Sequence, residues 1–418
     1  MGSSELSSRS IPDLDTLLVS GEIMENPYPI YRRLREEAPI FWSETWRAWV
    51  ISSYDSIVAS LKDKENLSNE NRQASIFANL NETERMALSQ LRHYFAQKDV
   101  IGSDPPDHTR MRALVQKAFT ARTVAAMEVK IRRLAVDMIS EAAAKGSFDF
   151  IEEVAHPLPV LLIAEILGAP VEDRPLFKRW SAEILAFMGT GKTQVDTALR
   201  SQASLMEMFD YMNDMIDRRK QKPEDDVITT LAFAEEEGKG FTRDELLATC
   251  NTLLTAGHET TTSLIGNLVH HLLSHVEQWT RVKESPQLIS FAIEESLRFD
   301  APKQRDFRKV KKNHVFAGFD FQEDQLVFQL LGSGNRDPLK FEDPDLYDIT
   351  RTPNDHLSFG SGIHFCLGAP LARLEARVVL EELIRQQPDA ALSAKSIVWQ
   401  ERALFRGPLK LGINSNRR

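Results

Sequence analysis

The sequence predicts a mainly α-helical fold with a small β region, on three observations. Residues 26–37 (NPYPIYRRLREE) and 124–145 space apolar side chains three and four apart, as half-buried helices do. A further helix, opening at Thr242, carries leucines on several sides and belongs inside the core. Only two runs read as short strands: WRAWVISS (46–53), one arm of a hairpin-like sheet, and QLVFQLLG (325–332).

The 418 residues carry a net charge of −10, which disfavours nucleic acid as a partner, and no basic block reverses that locally. No stretch approaches the roughly twenty apolar residues of a membrane span, and the N-terminus has no signal core. A cytoplasmic protein without membrane attachment is expected. The polar segment MGSSELSSRS is expected to be disordered or a cloning remnant. Without repeats, low-complexity segments or long linkers, residues 1–418 read as a single domain. Residues 72–104 combine weak periodicity with scattered aromatics and suggest a mobile loop with a short helix inside, of the kind that covers binding sites.

In the long helix, Thr242 and Glu245 have capping-box spacing, and Leu246, Leu254, Leu264, Leu268 and Leu272 are among its apolar residues. Midway, TAGHETTTS breaks the pattern where packing should be best. The Thr260 hydroxyl can bond the Ala256 carbonyl one turn back and bend the helix, while Gly257 leaves room beside it, so a small pocket should result. Glu259 places an ionisable carboxyl in an apolar span, where burial is costly unless the group has a partner or a task. His258 and Glu259 begin like the zinc motif H-E-x-x-H, but Thr262 stands where the second histidine is needed, and His258 is read as a packing residue.

Cys250 and Cys366 lie far apart and offer no disulfide framework. Cys366 sits in FGSGIHFCLGAP (359–370). Gly360, Gly362 and Gly368 permit positive φ and close approach of a flat ligand there, and the N–H groups after the cysteine can stabilise a thiolate at the start of the next helix.

This stretch resembles the cysteine-ligand loop of the cytochrome P450 family, F-x-x-G-x-H-x-C-x-G, in Phe359, Gly362, His364, Cys366 and Gly368. Ala256, Gly257, Glu259 and Thr260 are similar to the family's oxygen-activating element, and Glu295 and Arg298 to its E-x-x-R helix. NRDP (335–338) and DPPDHTRMR (104–112) are similar to segments of soluble bacterial members.

The resemblance implies the P450 fold, with haem b (iron protoporphyrin IX) between the long central helix and the cysteine loop. It makes Cys366 the thiolate metal ligand, and His108, Arg112, Arg308 and His364 the donors to the haem propionates. Ala256, Gly257, Phe359 and Gly368 would also border the cofactor, with Phe359 near the thiolate. Glu259 and Thr260 are the implied catalytic pair, serving proton delivery. The implied reaction is monooxygenation, a hydroxylation or epoxidation of a hydrophobic small organic substrate by O₂. No flavin domain or iron–sulfur cysteine cluster is visible, so electrons from NAD(P)H are expected through a separate ferredoxin and ferredoxin reductase. Docking would use basic residues such as Arg110, Lys117, Arg373 and Arg377.

The substrate pocket is expected to draw on residues 72–104, 186–188 and 253–257, the stretch after Arg298 and the 403–405 turn. KQRD (303–306) is unusually charged for that place and is read as facing outward, recognition of a polar or acidic substrate being the alternative. One departure from the family stands out. Leu346 occupies the place of an arginine that usually completes a triad with Glu295 and Arg298, and Arg351 is the candidate replacement. Two rival readings are a peroxide-driven peroxygenase, disfavoured by the Glu259–Thr260 pair, and a non-catalytic haem sensor or carrier, disfavoured by the lack of a signalling extension.

Overall fold

The computed structural model describes residues 12–71, 77, 80–188, 194–235, 238–400 and 404–415; MGSSELSSRS, part of the 72–104 stretch and Ala403 lie outside them. The chain divides into two compact units, each assembled from separate stretches of sequence.

One unit takes Met1–Asn69, Ser263–Cys366 and Pro388–Asn414. Its strands are β1 (Ile40–Ser43), β2 (Ala48–Ile51), β3 (Leu67–Ser68), β4 (Asp306–Val310), β5 (His314–Phe316), β6 (Phe319–Phe321), β7 (Leu326–Gln329), β8 (Ala391–Trp399) and β9 (Pro408–Asn414). A five-stranded sheet runs in the order β1-β2-β7-β4-β3. β2 lies parallel to β7, with Val50 opposite Phe328, and the other neighbours are antiparallel. Ile51, Val310 and Val327 bury their side chains against Ile57 and Leu61 of the Tyr54–Lys62 helix. Both sequence-predicted strands appear, as β2 and β7. β7 ends early, however: Leu331–Gly334 makes a helical turn, because Gly332 and Gly334 offer a strand no side chains to pack. The Tyr28–Glu37 helix buries Tyr28, Ile30, Tyr31 and Leu34, and its prolines fall in the first turn, where a missing N–H costs nothing.

The other unit takes Glu70–Thr262, Leu367–Gln387 and Ser415–Arg418 and is largely helical. The 124–145 stretch folds as two helices, Ala121–Ala126 and Glu128–Ala143, rather than one. At the break the Met127 N–H turns back to the Val124 carbonyl at 3.1 Å, a tightened turn that ends the first helix. Residues 72–104 likewise hold two short helices, Glu82–Ala87 and Ser89–Phe95, the first opened by a reciprocal Asn81–Glu84 capping box. Arg132 bonds Glu128 on its own helix and Glu381 and Glu382 on the Ala369–Gln386 helix, fixing the element that follows the cysteine loop.

The long helix spans Arg243–Ser274 without interruption. Its capping box is present in both directions: Thr242 N–H donates to Glu245 Oε2 at 2.9 Å, and Glu245 N–H to Thr242 Oγ1 at 3.2 Å.

His156 and His270 are half-buried, one in each unit, and loss of hydration holds both near pKa 4 against an ordinary 6.5. As pH falls the unfolded chain binds these protons first, so the stability tied to the neutral rings is intact above pH 6.5 and is lost between 6.5 and 4. The melting temperature should fall across that window, and His270→Gln should flatten the slope there in thermal melts taken at half-unit pH steps.

Candidate active site

The cysteine loop is closed by its own backbone. Cys366 N–H donates to the Phe359 carbonyl at 3.0 Å, Phe365 N–H to Gly362 at 3.1 Å and Gly360 N–H to Leu357 at 2.8 Å. Gly360 and Gly362 take φ of 73° and 75°, a region glycine enters freely. A Cβ at Gly362 would also meet the Leu61 carbonyl oxygen at 2.9 Å, so the loop lies directly on the Tyr54–Lys62 helix. Gly368 differs from expectation: its φ is −82°, and it serves as the residue before the Ala369–Gln386 helix rather than as a left-handed hinge. His364 ends the short 3₁₀ turn Gly362–His364, and the Phe359 and Phe365 rings lie 6.2 Å apart. The two thiols have opposite surroundings. Burial pushes Cys250 up to about 12, whereas Cys366 is exposed.

Glu295 and Arg298, both fully buried, anchor the segment leading into that loop. Arg298 grips Glu295 with two bonds, Nη2–Oε1 at 2.7 Å and Nε–Oε2 at 2.8 Å, and gives its remaining N–H groups to the carbonyls of Asn335, Pro344 and Leu346. Glu295 also accepts from Asp348 N–H at 2.9 Å and Asn354 Nδ2 at 3.2 Å. Arg351, at 3.2 Å, supplies the third partner that Leu346 does not. Leu346 contributes only its carbonyl; its side chain is exposed. Asn335 then accepts from Leu357 N–H at 2.6 Å and donates to Ser358 Oγ at 2.9 Å, while Ser358 Oγ donates to the Leu297 carbonyl at 2.5 Å.

In the second unit, every residue of the long helix from Glu245 to Thr262 is buried except Leu253, Ala256, Gly257 and Thr260. Spaced by three and four, these four form one open stripe. Thr260 Oγ1 donates to the Ala256 carbonyl at 3.0 Å, as the sequence suggested, and Thr255, His258 and Thr261 make the same one-turn-back contact. These bonds add to the helix ladder without interrupting it. His258 is a packing histidine: Nδ1 faces the Leu254 carbonyl at 2.8 Å and Nε2 the Ser181 hydroxyl at 2.7 Å. Glu259 is buried beside the stripe. His108 and Arg112 stand one turn apart on the Asp107–Ala118 helix, and burial, reinforced by the Arg112 charge, holds buried His108 at about 4.

The 72–104 region and residue 187 meet: the Phe77, Phe95 and Phe187 ring centres lie 5.7–5.9 Å apart. The region is also tied down, since Asp99 accepts from the Thr252 hydroxyl and from Ile101 N–H.

Arg308 on β4 is buried and paired with Asp306 at 2.9 Å. The pairing of Asp306 with Arg308 was missed in the sequence, although the i, i+2 spacing on a strand puts both on the same face. Lys303 reaches Asp306 as well, at 3.0 Å, and Gln304 is buried. Lys303, Gln304 and Asp306 of the KQRD segment therefore turn inward, contrary to the outward-facing expectation, because Asp306 pairs there with Lys303 and Arg308. Of the basic residues expected to dock an electron donor, Arg110 is paired with Glu245, Arg377 with Glu128 and Glu381, and Lys117 donates to the Glu235 carbonyl.

The cytochrome P450 family model matches residues 43–386. The chain is 34% identical over 406 residues to 6-deoxyerythronolide B hydroxylase of Saccharopolyspora erythraea, covering 95% of this chain and 97% of that one. It is 35% identical over 408 residues to vitamin D(3) 25-hydroxylase of Pseudonocardia autotrophica, covering 95% and 97%. Among solved structures, CYP109E1 of Bacillus megaterium in complex with testosterone superposes with a TM-score of 0.82 at 34% identity, covering 94% of this chain and all of that one. The chain belongs to the cytochrome P450 family and has its fold. It is a haem monooxygenase acting on small organic molecules with O₂ and NAD(P)H-derived electrons delivered by partner proteins. Among the described residues no helix is long and apolar enough to cross a membrane.

Removing Arg351 leaves part of a buried carboxylate unmatched. Arg351→Met should lower the unfolding free energy by about 1.5–3 kcal/mol, against about 0.5 kcal/mol or less for Leu346→Ala, both read from chemical denaturation.

Proposed function

We propose that Cys366 is the axial thiolate of this monooxygenase and that Glu259 and Thr260 deliver protons where O₂ reacts. When bound, thiolate-ligated haem activates O₂ to insert one oxygen atom into a C–H or C=C bond. The observation that carries the reading is the accessible Cys366 thiol in a loop fixed at each turn by its backbone, while the other thiol is buried and held protonated. The Phe359 ring, 6.2 Å from that of Phe365, belongs beside the thiolate, where it would limit water once haem is bound.

His108, Arg112, Arg308 and His364 are the proposed N–H donors to the two carboxylates of protoporphyrin. His108, neutral near pH 7, brings an N–H without a charge. Ala256 and Gly257 carry little or no side chain on the open helix stripe and leave room for a flat ring; packing also calls for glycine at 257, where a Cβ would lie 3.3 Å from Ile163. Thr260 has committed its proton to the Ala256 carbonyl, so its oxygen lone pairs are available to accept a bond on the open side and hold a proton donor there. Glu259, one residue away, is the acid that refills that position. Ferredoxin and its reductase are the electron supply, and a cytoplasmic setting suits two thiols outside any disulfide.

Product formation with NAD(P)H, ferredoxin and reductase over a panel of hydrophobic substrates is expected; turnover with hydrogen peroxide alone would favour a peroxygenase, and none with either a sensor or carrier. Thr260→Ala should keep haem yet divert electrons to peroxide, cutting product per NAD(P)H by about tenfold or more. Unchanged coupling removes Thr260 from the proton route.

A further inference from the structure

Arg305 is a cation that the site leaves unexplained. Half-buried, its guanidinium lies 4.3 Å from the Trp46 ring centre and 5.5 Å from that of Phe328. Lys303 and Arg308 nearby pair with Asp306, and Arg406 with Asp300. Arg305 alone among them has neither a carboxylate partner nor a hydrogen bond among the described residues. Loss of hydration brings its pKa down to about 10, so the charge persists at neutral pH. Its N–H groups, with no acceptor among the described residues, are left for water or a ligand to satisfy.

A cavity of about 20 Å³ opens against it, lined also by Tyr31 and Gln400 and by apolar Ile23, Pro27 and Phe405. Tyr31 is 3% exposed, and its hydroxyl makes no hydrogen bond among the described residues. The Gln400 amide is equally without a partner, its oxygen enclosed, so it is free to turn its NH₂ toward an acceptor. The wall is firm: Gln304 N–H donates to the Leu404 carbonyl and Arg406 N–H to the Pro302 carbonyl, both at 2.9 Å.

We propose that this cavity is a carboxylate subsite, in which Arg305, Tyr31 and the Gln400 amide hold the head of an amphipathic carboxylic acid whose aliphatic body leaves past Ile23, Pro27 and Phe405. Three donors of this kind converge on an acceptor, and stacking on Trp46 fixes the guanidinium plane for a two-point grip. The room suits one or two water-sized groups, hence a planar carboxylate rather than a phosphate. The acid is either a substrate or an effector; only the substrate form rests on the monooxygenase reading.

Calorimetry on the holoprotein with decanoate and 1-decanol tests it. Decanoate should bind about ten- to a hundredfold more tightly than the alcohol. Arg305→Gln should bring decanoate down to the alcohol's affinity and leave the alcohol unchanged, while Arg305→Lys keeps part of the preference. Without ligand, Arg305→Gln should still melt in one cooperative transition, which shows that the variant folds. A haem spin-state shift and an oxygenated product mark decanoate as a substrate analogue; calorimetric binding without a shift marks an effector site, and either supports the subsite. Equal affinities for acid and alcohol, or a preference that survives Arg305→Gln, overturn it. An absent preference in a protein whose carbon monoxide spectrum is that of a thiolate haem refutes the subsite and leaves the monooxygenase standing.

Discussion

One buried carboxylate organises the unit that carries the cysteine. Glu295 is fully buried, and an ion there is tolerable only if its oxygens are matched. Arg298 takes both oxygens, Arg351 comes from the chain beyond β7, and the Asp348 N–H and Asn354 amide complete the set. The remaining Arg298 donors reach across to the carbonyls of residues 335, 344 and 346. An extended, strand-poor segment is thereby held to one helix. It has no ladder of its own to keep it in place, and the Asn335–Leu357–Ser358 bonds carry the constraint to the residue before Phe359. The accessible sulfur is set in place by charge matching some distance away along the chain.

The long helix solves a different problem. It must run through a core yet leave one patch open, and it does so with small and hydroxylated residues at a three-and-four spacing. Thr260, donating one turn back, satisfies its own proton while presenting oxygen to the open stripe. The same device explains why polar side chains in a largely buried helix do not break it.

Much of this was legible before any coordinates. The cysteine loop, the Ala256–Thr260 segment and the Glu295–Arg298 pair stand out because glycines, hydroxyls and ions are anomalies against an apolar background, and anomalies are what a sequence displays best. The capping box at Thr242 and the Thr260–Ala256 bond are local, fixed by residues three or four apart. What stayed hidden was either a partner distant along the chain or a backbone angle. Arg351 could be offered but not chosen, since its contact with Glu295 spans a long stretch of chain. The inward turn within KQRD depends on Asp306 having two cations to satisfy. Gly368 looked like its neighbours Gly360 and Gly362, yet its φ needs no glycine. The split of 124–145 into two helices turned on one tightened turn at Met127, which periodicity averages over.

The identity of the atom that meets iron is the point on which the account turns, and the carbon monoxide difference spectrum of the reduced holoprotein reads it directly. The account predicts the strongly red-shifted Soret band of a thiolate-ligated haem in the parent, and its replacement by an imidazole-type band in Cys366→His. An imidazole-type band in the parent, or an unchanged thiolate band after Cys366→His, would contradict it.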